Sequence, residues 1–582
     1  MLRLLALAIF YALLTACAAQ APVAEQEVET KPEPAAEVAE RPFPKDSLYA
    51  LLVAEFALRR QAYDVTLQQY MEQATMLRDA GVSAHTTHLT QFLQREGEAQ
   101  QAARLWVELE PENAEANNTL AALLARQGRT LEALPYLAVV ERQTGSANFP
   151  MLLNGFGQLN NEQRAELVEG INKLNVEFPK NTSLLLTQAM LHTEYQQYDK
   201  ALDELRTLFK LEPEQPQAIL LEAKILAEQK AANPYARLQR ILQENPDAQM
   251  LRLQYARLLT ATDMPAAREQ FEILSAQSPK DSDLLLSLAL INREIGDPAA
   301  TITYLRQVIA LGPRADEAYY YLGRMAEENG NPEAAISEYM RVKEGEEYFA
   351  ANNRIGQILV DGGQLDRYHA WFDQQREEKP PLRDQLYGLE ADILSRAGST
   401  REAMQVLNKA LAKMPDNTSL RYARAMLNEQ LDDLVSMEQD LRFILAADPD
   451  NTTALNALGY TLADRTTRYT EALTLVSRAL ELQPNEPAIL DSMGWVLFRT
   501  GRNDEAVEYL TRAYANFPDP EVAAHLGEVL WVKGDNDAAM AVWQGALARD
   551  PGHPVLLGTL NRLGIVLPGA ASSEDSPPES AP

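Results

Sequence analysis

Residues 487–518 read PAILDSMGWVLFRTGRNDEAVEYLTRAYANFP. Leu490, Met493 and Leu497 recur at helical spacing, and so do Val507, Leu510 and Ala513. Between the two runs, Arg499-Thr500-Gly501-Arg502-Asn503 has turn chemistry, because Gly501 can take the left-handed conformation that ends a helix. The stretch therefore reads as two helices folded back on one another. Gly494, Ala506 and Ala513 are small, and antiparallel helices approach closely only where the facing side chains are small, so these residues mark the crossing.

The same hairpin recurs along the chain. From Pro111 through Pro179, Pro213, Pro246, Pro279, Pro313, Pro381, Pro415, Pro449, Pro484 and Pro518 to Pro551, successive prolines lie 33–35 residues apart, except for two gaps of 68 whose empty slots fall at Gly145 and Glu347. A fixed period near 34 is the mark of a helical repeat array. With the proline placed at position 32, position 8 is Gly323, Ala391, Gly494 and Gly527, with Gly459 one place off. Position 20 is Ala133, Ala201, Ala335, Ala403, Ala472, Ala506 and Ala539, and position 27 is Ala410, Ala479, Ala513 and Ala546. Gly534 repeats the turn of Gly501, and Gly362-Gly363 reads as another inter-helix turn. Pro298 and Pro332 are placed to open second helices, and Asn113, Asn417 and Asn451 to cap first helices. The letters are strong over 382–551 and weaker around 146–179 and 214–246.

These letters resemble the tetratricopeptide repeat over about residues 83–551. The resemblance implies an all-α, right-handed superhelical solenoid of helix-turn-helix repeats. Such an array is quasi-one-dimensional, each repeat touching its neighbours, rather than three or four globular domains. The array is expected over 111–567. Residues 47–110 are expected to form an N-terminal helical cap and divergent first repeat or repeats.

The chain starts with Arg3 and an apolar run, Leu4 to Leu14, too short to span a bilayer and of the form of a secretory signal. It ends Leu14-Thr15-Ala16-Cys17, which resembles the bacterial lipobox, and Cys17 is the one cysteine in the sequence. The resemblance implies removal of residues 1–16 and lipidation of Cys17; the other reading is an ordinary signal that happens to end in cysteine. Ala18, in place of Asp, implies by resemblance to lipoprotein sorting the periplasmic face of the outer membrane of a Gram-negative bacterium. Residues 17–46, rich in Ala, Pro and Glu, and residues 568–582 cannot bury a core and are expected to be a disordered tether and tail.

The formal net charge of −30 argues against nucleic acid, whose binding depends on cations neutralising phosphates. No Gly-x-Ser-x-Gly elbow, phosphate-binding glycine loop or His-Glu-x-x-His is present, and no enzyme activity or cofactor is expected. His85 and His88 share a helix face but lack a third ligand at metal spacing, so no metal site is expected. His369 reads as a packing position.

In the tetratricopeptide family the inner wall is lined by first-helix positions 2, 5, 9, 12 and 13. Transferred to this sequence, these are Tyr320, Arg324 and Glu328; Tyr422; Asn456 and Tyr460; Asp491, Trp495, Phe498 and Arg499; and Glu521, Glu528 and Trp531. Large aromatics there suit a binding surface. Trp495, Phe498 and Trp531 could equally pack against the next repeat. A clamp for a C-terminal carboxylate is not indicated, since Arg324 and Arg499 stand isolated. Taken as a whole, the chain resembles the long tetratricopeptide outer-membrane lipoproteins that partner a carboxyl-terminal processing protease and bring peptidoglycan hydrolases to it. The alternative is an assembly factor for an outer-membrane machine such as a secretin, a pilus or a barrel-assembly complex.

Overall fold

The computed structural model describes residues 44–566. The signal segment, Cys17, nearly all of the tether and the tail at 568–582 lie outside the described residues. The chain divides into two compact units, with the boundary between Thr301 and Ile302. Among the described residues there are helices and turns and no strand.

The first unit opens with helices Lys45–Arg59 and Tyr63–Leu77, then Ala80–Phe92 and Glu96–Leu109, paired as two antiparallel hairpins. The expected cap is thus two further helix pairs. The second keeps the small residue at position 20, Ala99, but its first helix lines the crossing with hydroxyls, Thr87 standing at position 8. Ser83, Thr86, Thr87 and Thr90 are fully buried. Each hydroxyl donates to a carbonyl four residues back, at 2.7–2.9 Å, so a small polar side chain is buried without an unpaired donor. Ala99 and Ala103 of Glu96–Leu109 are likewise buried completely.

Regular pairs follow, such as Ala114–Arg126 with Thr130–Thr144 and Thr182–Glu194 with Tyr198–Leu211. The weak stretches are irregular for local reasons. After Thr144, Gly145 turns left-handed and ends the helix. Pro150 and Gly155 then hold the chain in two 3-10 turns, Phe149–Leu153 and Phe156–Gln158, where a first helix would stand. Phe149, Leu152, Leu153 and Phe156 still fill the core of this unit. Farther on, Pro234 shortens a second helix to Ala236–Glu244.

The second unit holds the regular repeats. Its hairpins include Ala315–Glu328 with Pro332–Tyr339, Arg383–Arg396 with Thr400–Lys413, Thr418–Gln430 with Leu434–Ala447, Thr452–Arg465 with Tyr469–Leu482, Pro487–Arg499 with Asn503–Asn516, and Pro520–Lys533 with Asn536–Leu547. The missing proline at 347 has a simple cause. Pro332–Tyr339 is only eight residues long, and Glu347 is already the first residue of the next helix, Glu347–Asp361.

The capping expectations hold. Asn113, Asn417 and Asn451 accept from the backbone N–H three residues on, at 2.9–3.0 Å. Gly501 and Gly534 sit at φ 81° and 89°. The crossing positions are tight: a Cβ added at Gly494 would lie 2.5 Å from Leu510 Cγ and 3.1 Å from the Ala506 carbonyl. No described helix is long and apolar enough to cross a membrane.

Candidate partner-binding wall

First helices of successive repeats lie side by side, so residues about 34 apart face one another. This stacking settles which of the transferred wall positions are open. Asp491, on Pro487–Arg499, meets His525, on Pro520–Lys533, with His525 Nδ1 3.0 Å from both carboxylate oxygens. Trp495 stacks on the His525 ring at 4.3 Å and 26°, and its Nε1 donates to Asp464 Oδ1 at 3.1 Å. Arg499 donates to the Asp464 carbonyl at 3.0 Å and to the Tyr469 hydroxyl at 3.2 Å. Tyr460 reaches two repeats on, its hydroxyl 3.4 Å from both Glu521 and His525. Glu528 accepts two bonds from Arg562 at 2.6 Å, a bidentate pair.

Several wall positions are therefore not free surface. Trp495, Asp491 and Glu528 are 5%, 7% and 5% exposed. Of the two readings open for Trp495, packing between repeats is the one realised. Phe498 leans on Trp495 at 5.3 Å and stays half-buried. Trp531 lies 5.9 Å from Trp543 of its own hairpin and is also half-buried. Asn456 is half-buried, with Oδ1 left without a partner.

Farther forward, Tyr320 is half-buried, 5.6 Å from the Tyr339 ring, and Arg324 lies 3.5 Å from the exposed Glu328. Tyr422 is half-buried against the apolar core, and that burial raises its hydroxyl pKa. Tyr320, Arg324, Glu328, Tyr422, Asn456, Tyr460, Phe498, Arg499, Glu521 and Trp531 are the candidates that keep part of their surface available.

His525 was not among the transferred positions, and neither were Asp464 and Arg562. Their signal was present in the sequence as complementary charge one period away: His525 lies 34 residues after Asp491, and Arg562 lies 34 after Glu528. A second buried network, around Glu390, was also missed. Its carboxylate accepts from Arg376 and lies 2.7 Å from His369 Nδ1. His369 is thus not a packing residue. Tyr368, Trp371 and Phe372 take the core, and the His369 side chain stays 39% exposed at the rim of the ion-pair network. His85 packs on Tyr70 at 4.7 Å, and His88 meets the edge of Trp106 and lies 3.3 Å from Glu115. No group of three metal-ligating side chains occurs among the described residues.

The buried histidine makes a pH prediction. Burial alone would push the His525 pKa down, but the facing Asp491 carboxylate, with Glu521 and Asp464 nearby, outweighs it and holds the value above the ordinary 6.5. A histidine pKa raised on folding stabilises fully below its unfolded value, and that stabilisation is lost as pH rises through the folded value. The melting-temperature gap between wild type and His525→Gln is therefore expected to be widest below pH 6.5 and to narrow as pH rises. A gap that widens with pH would contradict the pairing.

The part-exposed side chains of this wall are aromatic and charged, the types that binding surfaces use. The family described as Tetratricopeptide repeat matches residues 293–348, 438–487 and 492–554. TPR repeat-containing protein PA4667 of Pseudomonas aeruginosa is 37% identical over 513 residues, 87% of this chain and 86% of that protein. Among solved structures, a thermophilic TPR protein of Thermus thermophilus is 21% identical, matching 31% of this chain and all of its own, with a TM-score of 0.29. Yeast Tom70 is 13% identical, matching 89% of this chain and 95% of its own, also with a TM-score of 0.29. Repeat letters, stacked hairpins and long-range identity to PA4667 lead to one conclusion: this chain belongs to the tetratricopeptide-repeat proteins, a family of protein-binding scaffolds.

Proposed function

We propose that this chain is a lipid-anchored adaptor on the periplasmic face of the outer membrane, holding protein partners on its repeat array. The observation that carries the reading is the row of part-exposed first-helix residues, including Tyr320, Arg324, Tyr422, Phe498, Arg499 and Trp531, beside the buried pairs Asp491–His525 and Glu528–Arg562. The frame is preorganised, so little ordering accompanies binding. The lone Cys17 after the apolar run supplies the anchor; several acyl chains on one residue would hold a protein stably at a bilayer.

Within this reading, the partners are a carboxyl-terminal processing protease and the peptidoglycan hydrolases it degrades. Two ligands held on one array meet at a high effective concentration, which accelerates cleavage without any chemistry from the scaffold. Recovery of a serine protease together with murein hydrolases from detergent extract supports the proposal. Recovery of secretin or barrel-assembly components instead overturns the partner. Cys17→Ala is expected to move the protein from the washed membrane fraction to the soluble periplasm. Persistence in the membrane fraction would refute the anchor.

A further inference from the structure

The first helix, Lys45–Arg59, is apolar on two sides. One side packs inward through Ser47, Ala54 and Ala57. The other faces solvent and carries Leu48, Tyr49, Leu52 and Phe56, exposed by 58%, 74%, 47% and 60%. Leu48, Leu52 and Phe56 are four residues apart and Arg59 follows three later, so they form one stripe along the helix. Arg59 and the capping Arg60 are both exposed. The chain is strongly acidic overall, yet the residues of this stripe include no carboxylate, Glu55 bordering it as an exposed side chain. Glu55 at its edge is engaged by the Tyr70 hydroxyl, and Asp46 falls off the stripe by helical spacing. Leucine and aromatic side chains beside arginine are the composition of helices that lie in a bilayer interface, where apolar burial and attraction to anionic headgroups add.

We infer that this face docks on a membrane surface rich in anionic glycerophospholipid. Two observations select lipid as the occupant. The face pairs apolar side chains with cations in an otherwise acidic chain. It also belongs to the first helix after Cys17, with residues 18–43 between them, so it is the described element nearest in sequence to the proposed anchor. The contact would set the orientation of the first repeats at the membrane. It is too small to replace the anchor and so is consistent with release of Cys17→Ala from washed membranes. The orienting role rests on the proposed anchor; affinity of the face for lipid does not.

The test uses full-length mature protein carrying Cys17→Ser, which cannot be acylated, and vesicles of phosphatidylethanolamine with phosphatidylglycerol at about three to one. Flotation is expected to recover about threefold more protein with these vesicles than with pure phosphatidylcholine. The excess is expected to vanish in high salt, in Leu52→Glu/Phe56→Glu and in Arg59→Glu/Arg60→Glu. These residues are exposed, so circular dichroism and the melting temperature should stay unchanged. Equal recovery on both vesicle types overturns the inference. So does an excess that survives both double substitutions, or a dimer dissolved by Leu52→Glu/Phe56→Glu in the absence of lipid binding. The mass of Cys17 in wild-type protein tests the anchor separately, so failure of one reading is distinguishable from failure of the other.

Discussion

Arg376→Met is expected to destabilise the second unit by about 3–5 kcal/mol, the magnitude found when one partner of a buried ion pair is removed. Arg376 and Glu390 have side chains only 4% and 2% exposed. The guanidinium bonds the Glu390 carboxylate, donates to Asp373 at 2.6 Å and stacks over the Tyr387 ring at 3.9 Å. Lys409 holds Asp373 from the outside at 3.1 Å. Methionine fills much of the arginine stem but supplies no donor. It leaves the buried carboxylate with His369 as its remaining side-chain partner. The cost thus comes from the stranded charge more than from lost contact area. Adding Glu390→Leu to Arg376→Met should recover a large part of the loss, because the pair is then replaced by apolar atoms. Chemical denaturation gives the size of the effect. Amide exchange should place it in Leu365–Glu378 and Arg383–Arg396 rather than across the whole chain, since repeat arrays lose stability locally. A single substitution costing under about 1 kcal/mol, or a double worse than the single, would contradict the account.

Gly527→Ala is expected to cost about 3 kcal/mol, at the upper end of what overpacking produces, despite the better helix propensity of alanine. A Cβ at this position would fall on the edge of the Trp543 indole. Trp543 is completely buried between Pro520–Lys533 and Asn536–Leu547 and has no room to withdraw. The added methyl must therefore push the two helices apart or expel the ring. Trp543→Leu in the Gly527→Ala background should recover part of the loss, because the steric conflict is specific to the ring. Gly558→Ala is the internal control. Nothing lies within 4 Å of a Cβ there, so the same change inside Pro554–Leu563 should stabilise by about 0.5–1 kcal/mol. Equal losses at both glycines would mean that close packing is not what selects glycine at position 8.

The two predictions concern different kinds of information. Gly527 is a repeat letter, visible in the sequence because every hairpin must cross somewhere and the crossings of the regular repeats ask for glycine or alanine at the same position. Arg376 is not a letter. Glu390 and Asp440 are buried carboxylates, Asp440 being met by Arg421 at 3.0 Å and Arg424 at 2.8 Å. In a chain with 83 acidic residues nothing in the sequence separates these two from the solvated majority. The wall positions show the same division. Their first-helix location was legible from the family register. Their exposure was not, since Tyr320 keeps part of its surface and Trp495 loses nearly all of it to the neighbouring His525.

The sequence by itself determined the helix pairs, their period, their turns and their caps. Each of these depends on a few residues close together: a glycine able to turn left-handed, an asparagine bonding three residues ahead, an apolar stripe every three or four positions. Only the tertiary structure decided which polar side chains are buried and what neutralises them. That choice depends on contacts between separate helices, from Arg376 to Glu390, 14 positions apart, to Asp491 and His525, 34 apart, where a shift of one position exchanges a solvated side chain for a buried one. It also showed that the outer stripe of the first helix is uncovered, because an apolar residue looks the same in sequence whether or not anything packs on it.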